Sequence, residues 1–212
     1  MGTLRHECFE NSSITFDADY EFLLKDPKFL EALETVKTLK PLSVPLWLEV
    51  NGKLQFFHVR RTQHNHFTFL HQATNGGASF PKPVINIRDH EIHRFYLVTT
   101  YKPVQPLLDF LATPSIPNKR KLNVLKQVIA ELTKLSKTKL RHGNIIHENI
   151  FVNENDGVML YDPELDEEVI GHIQSDYAQF RETLFHLERD LDHEPEELWN
   201  TVKNDPFFKK LK

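Results

Sequence analysis

The chain is expected to adopt an α+β fold, with strands gathered in its first half and helices in its second. Three observations carry that expectation. Asn51-Gly52 sits between two strand-forming runs, apolar residues recur at helical spacing from Leu122 to Leu135, and Ser175 stands in capping position before another amphipathic run. A length of 212 residues favours one large domain over two very small ones. Hydrophobic content of 40% with 26% charged residues excludes wholesale disorder. No apolar run reaches the roughly 18 residues that a membrane span needs, so no membrane association is expected. The first residues carry an acid, Glu7, and no apolar stretch, unlike a secretory signal. Together with a single cysteine, Cys8, which fits a reducing compartment, this leads to the expectation of an intracellular protein, in cytoplasm or nucleus.

Residues 1–16 show no clear period and are expected to be irregular. From Asp17 to Lys40 the positions Phe22, Leu23, Phe29, Leu30, Leu33, Val36 and Leu39 form one apolar helical face, with Asp26-Pro27 placed to start a helix. Trp47–Arg60 reads as a hairpin about Asn51-Gly52. Phe67–Ala73 is a short helix, and strands follow at Val84–Arg88 and Phe95–Tyr101. Leu107–Leu111 is a small helix and Leu122–Leu135 a long one. Ile145–Val152 and Val158–Tyr161 read as strands, Ser175–Leu187 as a helix, and the tail from Pro195 as helical pieces.

Charge is distributed unevenly. Lys119–Arg141 holds eight Lys/Arg and one acid, whereas 142–200 holds sixteen Asp/Glu and two arginines. The basic run lacks interleaved aromatics, so nucleic-acid binding is not expected. His64, His66 and His71 lack a cysteine companion and a settled helical spacing, so no zinc site is expected either.

The informative stretch is His142-Gly143-Asn144-Ile145-Ile146-His147-Glu148-Asn149, followed by Tyr161-Asp162-Pro163-Glu164. It resembles the catalytic loop and metal-binding turn of protein kinases, H-R-D-L-x-x-x-N and D-F-G. His142, Asn144 and Asn149 stand at the family's His, catalytic Asp and metal-binding Asn, and Asp162 falls at the Asp of D-F-G. The likeness extends over residues 44–210, through the hinge-like Phe95–Tyr101, the long 122–135 helix, Ser175-Asp176-Tyr177-Ala178-Gln179-Phe180 and Asp205-Pro206-Phe207-Phe208. It implies a bilobal protein-kinase-like fold with a reduced β-rich N-lobe and a truncated helical C-lobe. The corresponding parts are a helical extension over 1–40, an N-lobe-like part over 41–103 and a C-lobe-like part over 104–212.

The departures set the expected function. A kinase needs the loop Asp to accept the hydroxyl proton, and Asn144 is an amide. Gly143 replaces the usual Arg, and Pro163-Glu164 replaces Phe-Gly. Only twelve residues, 163–174, separate Asp162 from Ser175, too few for an activation segment. Residues 41–51 contain no glycine to let backbone N–H groups approach phosphates. Arg60 stands where the family has its phosphate-binding Lys, with Thr99 and Tyr101 on the hinge-like strand, so nucleotide binding is expected to be weak or absent. Asn149 and Asp162 are either metal ligands or relics that brace the loop, and His142 reads as a packing residue that hydrogen-bonds backbone. No cofactor is expected.

The resemblance is thus to a pseudokinase, and the loop is similar to those of Janus-kinase-type pseudokinase domains. Such a chain acts as a scaffold, an allosteric regulator or a kinase-mimicking inhibitor. Its expected partner is another protein, an active kinase or one with a basic surface. Candidate contacts are Phe22, Phe29, Leu30 and Leu33 on the N-terminal segment, and the acidic run Glu164, Asp166, Glu167 and Glu168. The alternative is a small-molecule phosphotransferase with a degenerate H-G-D-type loop, and a third option is a pure interaction domain built on residues 1–40.

Overall fold

A computed structural model describes residues 3–38, 43–100, 102, 104–164, 175–191, 196–206 and 208–210. The fold is mixed α and β, and both of its sheets are antiparallel. The chain divides into two compact units, residues 1–72 with 81–102, and residues 73–80 with 103–212. Among the described residues no helix is long and apolar enough to cross a membrane.

The first unit is built on a six-stranded sheet. Its strands are β1 (Leu4–Cys8), β2 (Ser12–Asp17), β3 (Ser43–Val50), β4 (Lys53–Thr62), β5 (Pro83–Asp89) and β6 (Arg94–Thr100), in the order β1-β2-β5-β6-β4-β3. β3 and β4 form the expected hairpin. Asn51 and Gly52 both take left-handed backbone, at φ of 51° and 72°, which matches the twist of the flanking strands. Strand alternation turns Phe57 and Val59 of β4 and Tyr96 and Val98 of β6 to one face, where α1 (Pro27–Thr38) and the 3-10 helix Ala18–Lys25 contribute Leu23, Phe29, Leu33 and Val36. Helix α1 begins where Asp26-Pro27 directs it, since Asp26 Oδ1 accepts the N–H groups of Lys28 at 2.9 Å and Phe29 at 3.2 Å. The helix α2 (His66–Asn75) follows β4.

Three expectations are corrected here. The stretch 1–16 is not irregular over its described residues: it supplies β1 and most of β2, and β2 pairs with β5 through Phe16↔Ile85 and Ile14↔Ile87. The alternation Ser12-Ser13-Ile14-Thr15-Phe16 carries a strand signal, but its partner lies about 70 residues further along the chain. The segment 1–40 is not a separate extension, because Phe16, Leu23, Phe29, Ala32, Leu33 and Val36 belong to the same core as the sheet. As candidate partner contacts, Phe29 (0% exposed) and Leu33 (7%) are therefore excluded, since burying them in this core already satisfies their apolar surface. Phe22 (36%) and Leu30 (48%) remain at the surface.

The second unit carries a three-stranded sheet, β7 (Val104–Pro106), β8 (Ile150–Asn153) and β9 (Val158–Leu160), in that order. Around it lie α3 (Leu107–Ala112), α4 (Asn118–Lys137), α5 (Asp176–Asp190) and α6 (Glu196–Asn204). Of the stripe expected on α4, Leu125, Val128, Ile129, Leu132 and Leu135 are buried; Leu122 is half-buried and Val124 joins the buried set. The strand expected from Ile145 starts only at Ile150, because the Ile145 backbone is taken by side chains of α5. Strand β7 is an addition that its three-residue length hides from pattern reading.

Candidate functional site

Helix α4 ends at Lys137 with Thr138 as its cap, and Lys139 turns the chain through left-handed backbone at φ 61°. The loop His142–Asn149 follows and is held by one face of α5. Ser175 caps that helix by accepting the Ala178 N–H. Asp176, Gln179 and Thr183 lie three and four residues apart, hence on one face. The Asp176 carboxylate accepts N–H groups from His142 at 2.9 Å and Gly143 at 3.0 Å. Gln179 accepts the Ile145 N–H at 2.8 Å and donates to the Gly143 carbonyl at 3.1 Å. Thr183 donates to the Ile145 carbonyl. Five hydrogen bonds from one helix face thus hold the backbone of His142, Gly143 and Ile145, three residues of a four-residue span.

Gly143 sits at φ 74°. A Cβ in left-handed backbone crowds the following carbonyl, so this backbone course disfavours the Arg that the kinase pattern carries. Gly143→Ala is expected to cost about 1 kcal/mol, seen as a lower urea midpoint with an unchanged slope. An unchanged midpoint would mean that the loop readily adopts another course.

The loop is closed on itself and on the turn after β9. Asn149 is buried (7% exposed) and its amide donates to the Asn144 carbonyl at 3.1 Å. Tyr161 N–H donates to the Asn149 carbonyl at 2.9 Å, and Glu164 N–H to the His142 carbonyl at 2.7 Å. Asp162, between them, has left-handed backbone at φ 49°. His142 is fully buried, stacks on Phe80 with ring centroids 5.8 Å apart, and accepts the Asn144 N–H at Nδ1. Burial pushes its pKa down to about 4, against the raising influence of the Tyr161 backbone and the Asp162 carboxylate. Residues 73–80 join the same unit: Leu160 N–H donates to the Ser79 carbonyl, and Ser79 N–H to the Glu131 carboxylate at 2.7 Å.

The structure therefore brings His142, Asn144, Asn149, Asp162 and Glu164 into one hydrogen-bonded loop system within the second unit. Arg60 and Thr99 lie in the first unit, on β4 and β6. His58 is opposite Thr99 and Arg60 opposite Leu97, so Arg60 and Thr99 are diagonal neighbours on one sheet face. Thr99 is buried at 5% exposed. Tyr101, Asp166, Glu167 and Glu168 lie outside the described residues. Among the described residues no group of three or more His, Cys, Asp or Glu is placed to hold a metal ion.

No family model matches this chain, and no curated protein matches it.

The Asn144 side chain is an amide, which does not accept a proton as a carboxylate would, and its backbone N–H and carbonyl are occupied in bracing the loop. The His142 imidazole is neutral near neutral pH and spent as an acceptor within the fold. Sequence reading singles out the Ser175–Phe180 run but not the clamp that Asp176, Gln179 and Thr183 make. The available signal is the 3-4 spacing of polar residues at the start of an otherwise apolar-faced helix.

Proposed function

We propose that this chain is a degenerate kinase-like protein that has lost phosphoryl transfer and acts by binding another protein. The observation that carries the proposal is the joining of three separate sequence motifs. The Ser175–Phe180 helix start is tied to the His142–Asn149 loop through Asp176, and the Tyr161–Glu164 turn to the same loop through backbone bonds to Asn149 and His142. A bilobal kinase-like architecture belongs to the same proposal. It is supported by β6, the hinge-like strand, pairing in register with β4 of the 47–60 hairpin, and by the placement of α3, α4 and the loop in chain order.

Loss of activity follows from Asn144, which cannot serve as a base, and from the glycine-poor 41–51 stretch. With catalysis gone, the exterior is what remains to act. Phe22 and Leu30 at the surface of the first unit, and the acidic residues following Asp162, are the candidate contacts for a protein with an apolar anchor or a basic rim.

The second reading, a small-molecule phosphotransferase, is favoured by the short 163–174 connection. Thermal denaturation with millimolar ATP and Mg²⁺ or Mn²⁺ separates the two. A ligand at a hundredfold its Kd adds about 2.7 kcal/mol to stability, a rise of several degrees. The expected result is a Tm unchanged within about 1 °C. A rise of several degrees that Asp162→Ala removes would replace the pseudokinase reading with the phosphotransferase one.

A further inference from the structure

Strand β1 ends the six-stranded sheet, and its five residues, Leu4–Cys8, are all exposed. The phase of its backbone can be read from the two ends of its ladder with β2. Ala18 N–H donates to the Thr3 carbonyl, and Phe9 N–H donates to the Ser12 carbonyl. Between them the register runs Leu4↔Asp17 to Cys8↔Ser13. Hydrogen-bonded and non-hydrogen-bonded pairs alternate in an antiparallel ladder. Thr3, Arg5, Glu7 and Phe9 therefore turn their backbone groups toward β2, while Leu4, His6 and Cys8 turn theirs to the open edge. The other side of β2 agrees, since His90 N–H donates to the Asn11 carbonyl and so sets the odd-numbered residues of β2 toward β5.

We propose that β1 is a self-complementary edge through which two copies of this chain pair antiparallel about a two-fold axis at His6. In that register Leu4 faces Cys8 of the second copy and His6 faces His6. These are the residues whose backbone groups point outward, as hydrogen-bonded pairs require. Arg5 then faces Glu7 of the second copy, and Glu7 faces Arg5. Both pairs fall at non-hydrogen-bonded positions, where Cα atoms approach to about 4.5 Å and side chains lie closest.

The two neighbouring registers of the same backbone phase set Arg5 against Arg5 or Glu7 against Glu7, so charge selects the central one. Charged side chains on an edge strand commonly resist pairing, but Arg5 and Glu7 are of opposite sign and in this register each meets its complement. The Arg5 guanidinium also bonds Glu21 of its own chain at 2.7 Å. With five N–H donors it can serve a second carboxylate.

Sedimentation velocity on the whole chain tests the pairing. The wild type is expected to show a dimer that grows with concentration. R5E and E7R each place like charges across the axis and are expected to weaken association about tenfold or more. An equimolar mixture of the two variants is expected to restore it, because each strand then meets the opposite sign. His6→Cys in a Cys8→Ser background is expected to form a disulfide-linked dimer on mild oxidation, since a hydrogen-bonded pair holds Cα atoms about 5.5 Å apart, within disulfide range. Leu4→Cys in the same background is expected to stay unlinked, because its two copies lie about 14 Å apart along the strand. A wild type that stays monomeric and a His6→Cys chain that fails to cross-link would overturn the proposal. So would a dimer that R5E and E7R leave intact, which would place the contact elsewhere.

Discussion

Asp176→Ala is expected to lower unfolding free energy by about 3–5 kcal/mol, because two backbone N–H groups lose their acceptor and each such loss costs about 1–3 kcal/mol. The carboxylate is nearly buried at 9% exposed, and its two oxygens serve His142 and Gly143 separately. Water has little access to replace it. The side chain also lies in the first turn of α5, where negative charge is favoured by the helix dipole. Asp176→Asn keeps one acceptor but presents an NH₂ group to the other N–H, so it should fall between wild type and Ala. Ser175→Ala, which removes only the cap, should cost about 1 kcal/mol. Urea denaturation of the three variants reads the order directly. A loss below about 1 kcal/mol for Asp176→Ala would show that the loop does not depend on the clamp, and the pseudokinase proposal would lose the observation that carries it.

Acidification should remove a further block of stability through His142. Its folded-state pKa, about 4, lies below the ordinary 6.5 because the charged imidazole would be buried. The unfolded chain therefore takes up the proton first as pH falls. The stabilising contribution is fully present above about pH 6.5 and is lost progressively as the pH falls toward 4. The whole effect is roughly 3 kcal/mol. Carboxylates also titrate at the acid end of this window, so the measurement is a comparison. Wild type and His142→Phe, which keeps an aromatic ring against Phe80, are unfolded in urea at about pH 7 and about pH 4. The variant should lose roughly 2–3 kcal/mol less than wild type between the two. Equal losses would mean that His142 is protonated in the folded protein or does not report on its stability.

Both predictions treat the loop as a braced structure and not as a reaction centre. His142 holds the Asn144 N–H, Asn149 holds the Asn144 carbonyl, and α5 holds the backbone from His142 to Ile145. A loop fixed in this way has a structural use for its polar residues that needs no catalysis. That accounts for His142, Asn149 and Asp176 standing together beside an Asn144 that cannot take a proton.

The sequence by itself determined several of the local elements. Asn51-Gly52 names its own turn because both residues accept left-handed backbone. The α4 stripe and the Asp26-Pro27 and Ser175 helix starts are likewise written in residues close together in the chain. The amide at 144 and the absence of glycine from 41–51 need no coordinates either. Tertiary structure alone decided the rest. A helical stripe shows that Phe29, Leu30 and Leu33 lie near one another, but not whether the surface that covers them belongs to the same chain. Here the sheet takes Phe29 and Leu33 and leaves Leu30 outside. Strand β2 is specified by Ile85 and Ile87, some 70 residues away, and the loop by Asp176 and Gln179, more than 30 residues away. Such pairings depend on which faces are buried together and on which backbone groups still lack partners, and neither is a property of a short stretch of chain.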